Sequence, residues 1–269
     1  MAFGMPAAAM MEDRVIQLRG GALSFQVLAA GRGVPLVYFH SMPEPGPWPA
    51  VLDRLAEHCA VTAPQHPGVG GSRGVETLDD VLDLTLAYEE LLDALGIARA
   101  HLVGHFFGGM VAAELAALFP ERVDRLVLVA PLGLWRDDAP SADILILPPD
   151  ELSRLLWRDP TSEAAQQWAA QPVDETQKVA AQIESIARRA AIAKFVWPIP
   201  DKGLRKRLHR IEAPTLLLWG DADQVNPVSY VDEWQRRIKG AAVKLLPGGH
   251  MLVHESPDAA ATAMKEFLT

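Results

Sequence analysis

Three short segments carry groups that can do chemistry together. Gly104-His-Phe-Phe-Gly-Gly109 stands between an apolar, strand-like run at residues 100–103 and an alanine-rich helical stretch at 108–119. That is the setting of the G-x-S-x-G turn, a sharp strand-to-helix bend that lifts its central side chain above a sheet, beside a helix N-terminus. Its flanking glycines permit approaches that a Cβ would block. The central position takes Ser, Cys or Asp; here it is Phe106, which has neither a nucleophile nor an acid–base group. Trp219-Gly-Asp-Ala-Asp223 supplies a carboxylate, Asp223, at a strand end, while Asp221 is expected to cap the turn. Pro247-Gly-Gly-His-Met251 places His250 in what reads as a flexible loop after the last strand. The chain order is bend, acid, imidazole, as in known nucleophile–acid–base sets of this kind. An acyl-enzyme route has lost its attacking atom; in triad enzymes the loss of a member leaves roughly 10³–10⁴-fold catalysis over water. A neutral His250 oriented by Asp223 can still act as a general base on water, or on an acidic C–H or O–H.

These groups need a scaffold, and the hydrophobic pattern provides one. Residues 14–19 and 22–29 read as strands about a Gly20-Gly21 hairpin turn. Residues 35–39 form a short apolar run of the sort buried on both faces of a sheet. A helix is expected over 49–58, a strand at 60–63, and a helix over 77–95 with Thr77 as N-cap and Gly96 just past its end. Strands follow at 100–103 and 123–130, the latter after a helix stopped by Pro120. Strand–helix alternation implies an α/β fold: a mostly parallel sheet with helices on both faces. The alternation stops over 132–208, which has no strand-like run, is rich in Ala, Leu, Gln and Arg, and holds Trp135, Trp157, Trp168 and Trp197. It reads as a helical insertion, dividing the core into 1–131 and 209–269. The second part brings strands at 214–219 and 243–246 and helices at 229–238 and 257–268.

Bulk composition narrows the partners. A formal net charge of −9 argues against nucleic acid and anionic membrane surfaces, which reward clustered Lys and Arg. The basic stretch at 204–210 reads as one solvated helix face. A single cysteine, Cys59, allows no internal disulfide and suits a reducing, cytoplasmic setting. Residues 1–11 lack a charged n-region and read as a loose leader, with Met10 or Met11 a candidate start. No metal-ligand spacing and no nucleotide fingerprint is present, so no cofactor is expected. Oligomeric state is not encoded in any of these features.

Taken with the motifs, the chain resembles the α/β-hydrolase superfamily over nearly its whole length. The matching pieces are Phe39-His-Ser41, Pro67-Gly-Val-Gly-Gly-Ser72, Gly104-His-Phe-Phe-Gly-Gly109, Gly220-Asp-Ala-Asp223 and Gly248-Gly-His250. The resemblance implies a capped α/β-hydrolase fold with residues 132–208 as the helical cap. It further implies Asp223 and His250 as catalytic acid and base, Phe106 at the nucleophile position, and the backbone N–H groups of Met42 and Phe107 as the oxyanion hole. The pocket would be lined by His40, Ser41 and Trp135. Ser41 departs from the family's usual Gly; some hydroxynitrile lyases of this fold carry Thr there, so its hydroxyl is either offered to the pocket or, as the favoured expectation, bonded to its own backbone. His105 is expected to pack aside, and Gln65 and His66 to serve as scaffold.

Three functions fit these residues. One is a serine-hydrolase-type protein for esters, or C–C bonds beside a carbonyl, in small apolar substrates, its nucleophile replaced by Phe106. A second is a non-covalent enzyme (lyase, cyclase, cofactor-free oxygenase or water-activating hydrolase) working through His250 and Asp223. A third is a non-catalytic ligand-binding protein, which has less need of either residue. Fold analogy alone does not separate them.

Overall fold

The computed structural model describes residues 11–44, 46 and 48–269, so the leader expected over residues 1–11 lies outside them except for Met11. The sheet opens with the anticipated hairpin: β1 (Glu12–Leu18) and β2 (Leu23–Ala30) pair antiparallel across a turn holding Gly20 and Gly21 at φ 66° and 93°. The chain continues through β3 (Val34–Phe39), α1 (Ala50–Ala56), β4 (Cys59–Pro64), α2 (Val81–Ala94), β5 (Ala100–His105), α3 (Phe107–Leu118) and β6 (Val123–Val129). Three helices, α4 (Pro149–Leu156), α5 (Glu163–Ala169) and α6 (Glu175–Val196), intervene before β7 (Thr215–Gly220). Then come α7 (Tyr230–Arg237), β8 (Ala242–Leu246), the short α8 (Leu252–Glu255) and α9 (Pro257–Leu268).

Strand order is β1-β2-β4-β3-β5-β6-β7-β8, parallel from β4 onward. The order reverses between β3 and β5, whose neighbours β4 and β6 lie on opposite sides. Such a switch point opens a crevice at the carboxyl ends of the strands, where ligands bind in open α/β sheets. Both loops of chemical interest, after β3 and after β5, leave from that crevice.

Each face of the sheet has its own apolar layer. On one, Phe25, Leu102 and Leu128 pack with Leu84 and Tyr88 of α2 and Met110 and Leu115 of α3. On the other, Tyr38, Val103 and Val127 meet Leu52 and Leu55 of α1 and Ala260 and Met264 of α9. Each fully buried Leu, Met or Phe contributes about 1.5–3 kcal/mol relative to exposure, which is why the strands at the centre read as unbroken apolar runs.

Two local expectations are corrected. The N-cap of α2 is Asp80, not Thr77: the Asp80 carboxylate accepts from the N–H of Leu82 and Asp83, satisfying two orphan donors at once. Thr77 instead closes a 3-10 turn with its hydroxyl on Gly74 O. Gly96, at φ 69°, does follow the helix end. Nor is 204–210 one solvated helix face. It forms two 3-10 turns with Leu204 and Leu208 buried, Arg207 donating to the buried Glu114 and Arg210 to Ala117 O. Arg207 turns inward because α3 offers it a carboxylate, and Arg210 reaches a carbonyl near the end of α3, while Arg205 and Lys206 stay exposed. No helix among the described residues is long and apolar enough to cross a membrane.

Candidate active site

Phe106 holds the bend between β5 and α3 at φ 47°, ψ −104°, a conformation that costs a non-glycine residue on the order of 1–3 kcal/mol. Three backbone bonds fix it: its N–H donates to Val129 O (2.9 Å), and its carbonyl accepts from Met110 (3.0 Å) and Leu132 (2.9 Å). The flanking glycines are required by contact. A Cβ on Gly104 would lie 2.3 Å from Gly108 O, and one on Gly108 would lie 2.0 Å from Phe39 O. The Phe106 ring is buried, 4% exposed.

Asp223 and His250 meet as the sequence order anticipates, with His250 Nδ1 2.9 Å from Asp223 Oδ2. The second carboxylate oxygen accepts from the N–H of Val225 and Asn226, both at 2.9 Å, which fixes the plane of the acid. The Asn226 amide in turn donates to the carbonyls of Ala130 and Pro131, tying the loop after β7 to the loop after β6. Contrary to expectation, Asp221 does not cap its own turn; its carboxylate accepts from the N–H of Gly248, in the loop after β8, and pairs with Arg158 at 2.7 Å. The expected flexible loop around His250 is a correction, because His250 is fully buried and its carbonyl accepts from His105 Nε2 at 3.0 Å. Its Nε2 has no hydrogen-bond partner among the described residues. The Phe106 ring stands edge-on to the imidazole, with centroids 4.5 Å apart and planes at 90°.

A further acid–base cluster lies behind the bend, built on Glu44, which nothing local in the sequence marks. Its carboxylate is buried and accepts from Tyr38 Oη (2.9 Å), Ser41 N–H (2.8 Å) and His105 Nδ1 (2.7 Å). Burial alone would push the Glu44 carboxyl up; the hydrogen bond from His105 and the nearby imidazoles of His105 and His254, the latter 3.7 Å away, outweigh it and hold the group well below the usual carboxylate range. Burial pushes the His105 imidazole below its ordinary range, opposed by the Glu44 carboxylate. Both His105 nitrogens face oxygen acceptors, so both contacts are donations only while the ring is an imidazolium, which Glu44 favours and burial opposes. The ring packs aside as expected, as a strut from Glu44 to the backbone of His250.

His40 and His66 form a locked pair. His40 Nδ1 donates to Ser41 O and its Nε2 accepts from His66 N–H, while His66 Nε2 donates to His40 O and its Nδ1 accepts from Tyr88 Oη. Burial lowers both imidazoles, most strongly His66, and their nitrogens are all engaged, so neither is available as a base. Ser41 contradicts the favoured expectation, since its buried hydroxyl has no partner, backbone or otherwise, among the described residues.

Above the bend is a cavity of about 130 Å³. Met42, Phe106, Phe107 and Trp135 line it, as do Ile192 and Val196 of α6. His40 and Ser41, expected in the lining, are absent from it, as are Asp223 and His250. The loop after β3 turns its first two side chains into the body, and the Phe106 ring lies against the imidazole. Of the four tryptophans in 132–208, Trp135 and Trp197 line the cavity, whereas Trp157 is buried core and Trp168 donates its indole N–H to Pro43 O. Among the described residues no group of three or more His, Cys, Asp or Glu side chains is arranged to hold a metal.

Comparison with known proteins adds the context. Residues 34–257 match the model of the alpha/beta hydrolase fold family. The chain is 27% identical over 261 residues to a 2-hydroxy-6-oxo-6-phenylhexa-2,4-dienoate hydrolase of Burkholderia cepacia, covering 89% of each. The solved hydrolase of the same name from Rhodococcus sp. strain RHA1 has a TM-score of 0.78 at 21% identity, over 96% of this chain and 99% of that one. A membrane phospholipase A described as a bacterial virulence factor also gives a TM-score of 0.78, at 25% identity over 96% and 86%.

Proposed function

Since the chain belongs to the alpha/beta hydrolase fold family, we propose that it is a serine-hydrolase-type protein whose covalent route is closed at position 106 and whose cavity takes a small apolar carbonyl compound. The observation that carries this reading is the perpendicular contact of the Phe106 ring with His250, together with an imidazole Nε2 left without a partner. In a working triad that nitrogen takes the proton of the attacking hydroxyl. Here Asp223 still orients the imidazole, and a phenyl ring occupies the place of the hydroxyl.

The other roles follow from this reading. Residues 132–208 act as the cap, α6 supplying Ile192 and Val196 to the cavity wall. Phe107 opens α3, where the first N–H groups have no acceptor within the helix; with the N–H of Met42 it is suited to hold a carbonyl oxygen as charge develops. The parent chemistry is hydrolysis of an ester, or of a C–C bond beside a carbonyl, as in the dienoate hydrolases this chain resembles. Base catalysis by His250 without a nucleophile is disfavoured by the same contact, because the imidazole is fully buried and does not line the cavity.

The test compares hydrolysis of aryl and alkyl esters by the protein and by Phe106→Ser, with His250→Ala in the Phe106→Ser background. Activity confined to Phe106→Ser and abolished by His250→Ala supports the reading. Turnover by the unsubstituted protein that depends on His250 refutes it in favour of a non-covalent enzyme.

A further inference from the structure

The charge of the cavity narrows what it can hold, on the footing that the cavity is the ligand site proposed above. Four aromatic rings line it: Phe106, Phe107, Trp135 and Trp197. Its polar side chains besides the indoles are Ser141 and Asp143, and no Lys, Arg or His lies in the lining among the described residues. The hydroxyl hydrogen of Ser141 is used on Asn226 Oδ1 at 2.8 Å, so toward a ligand this oxygen only accepts. The Trp135 indole N–H is likewise used, on Asp137 at 2.9 Å. Asp143 is an exposed carboxylate. Apart from the indole of Trp197, itself more than half exposed, no lining side-chain N–H or O–H is left to receive an anion.

Arg188 and Lys202 are engaged elsewhere, and the half-buried Arg189, three residues before Ile192 on α6, is not among the lining residues. Arg188, one turn before Ile192 on α6, donates to Glu44 O at 2.5 Å and to Glu184 at 3.1 Å. Lys202 donates to Trp197 O at 3.2 Å. Neither reaches the lining. The N–H groups of Met42 and Phe107, proposed above for one carbonyl oxygen, are dipoles and supply no full counter-charge. Moving a carboxylate from water into such a site still removes most of its hydration, and an ion is then excluded more strongly than a neutral group of the same shape. The hydrolases this chain resembles are named for a dienoate, which is a carboxylate.

We propose that the cavity selects uncharged ligands, neutral aromatic esters, ketones or amides, and rejects carboxylates, with Asp143 as a specificity-determining residue. A ligand N–H or O–H is accommodated by the Ser141 and Asp143 oxygens. The relatives' anionic substrates are thereby excluded even when a nucleophile is restored at position 106.

The experiment titrates the unsubstituted protein at neutral pH with methyl phenylacetate, phenylacetamide and the phenylacetate anion. Binding is followed by isothermal titration calorimetry and by the total tryptophan emission, to which Trp135 and Trp197 contribute. The expected result is saturable binding of the ester and the amide, with the anion weaker by about tenfold or more. Asp143→Lys, a change at an exposed position, should narrow that gap. Anion binding equal to the ester overturns the proposal and leaves the cavity as the ligand site. A gap unmoved by Asp143→Lys removes Asp143 from its role. Binding of none of the three overturns the cavity reading itself, and this inference with it.

Discussion

Replacing Glu44 by Ala tests whether the buried strut supports the loop that carries His250. The side chain is 1% exposed and receives three donors: a phenol, a backbone N–H and an imidazole. Alanine strands all three in a region sealed from water, where each unsatisfied group costs about 1–3 kcal/mol. The groups share one acceptor and relax together, so the expected loss is about 3–5 kcal/mol, the range for breaking a buried charge pair. In a domain of this size that is on the order of 10 °C in Tm. Glu44→Gln keeps an acceptor for Ser41 and Tyr38 but removes the charge facing His105, and should lose roughly half as much. The pH dependence has a definite sign. A carboxyl held below its usual range in the fold gives stability that is fully present above the unfolded value, about 4.3, and is lost as pH falls through the folded value. The gap in denaturant midpoint between the unsubstituted protein and Glu44→Gln should therefore be widest at pH 5 and above and shrink below about pH 4. Equal stability of Glu44→Ala and the unsubstituted protein at pH 7, or a gap that widens in acid, would falsify the assignment of Glu44 as an ionised buried acceptor.

Other consequences are as direct. Phe106→Ser should gain esterase activity, and adding Asp223→Ala should lower its kcat by about 10⁴, as loss of the orienting acid does in triad enzymes; steady-state kinetics on one ester decide this. Gly108→Ala should fail to fold or lose more than about 4 kcal/mol, because its Cβ would meet the backbone oxygen of Phe39 at 2.0 Å, where no side-chain movement relieves it; yield of soluble protein and Tm are the readouts. Arg207→Ala strands Glu114, 1% exposed, but Arg207 is itself about one-third exposed. A loss of about 2 kcal/mol, below the fully buried range, is expected by chemical denaturation.

The strands were legible because the sheet centre is buried on both faces, so that most of β3 and β7 and residues 126–129 of β6 are apolar words. Asp223 and His250 were legible from their order after the glycine-flanked bend, and the structure joins them at 2.9 Å. Glu44 was not. A glutamate among prolines reads as exposed turn, and its main partner, His105, lies 61 residues away; no local period reports such a contact. His250 read as a loop residue because its burial arises from elements remote in sequence: His105 holds its carbonyl, and Met251 N–H is held by Leu156 of α4. Thr77 and Asp80 are both acceptable caps by residue type; Asp80 takes the role with two N–H donors, while the Thr77 hydroxyl is used on Gly74 O.

The backbone of the bend at position 106 is held by atoms other than its own side chain: the carbonyl of Val129 on β6, the amides of Met110 and Leu132, and glycines on either flank. It therefore behaves as a socket whose shape is independent of its insert. Whatever residue stands there is presented at one spot, between the imidazole and the cavity, without the fold having to change. On the function proposed above, exchange of a single side chain would pass the chain between binder and catalyst, the surrounding architecture being kept in either case.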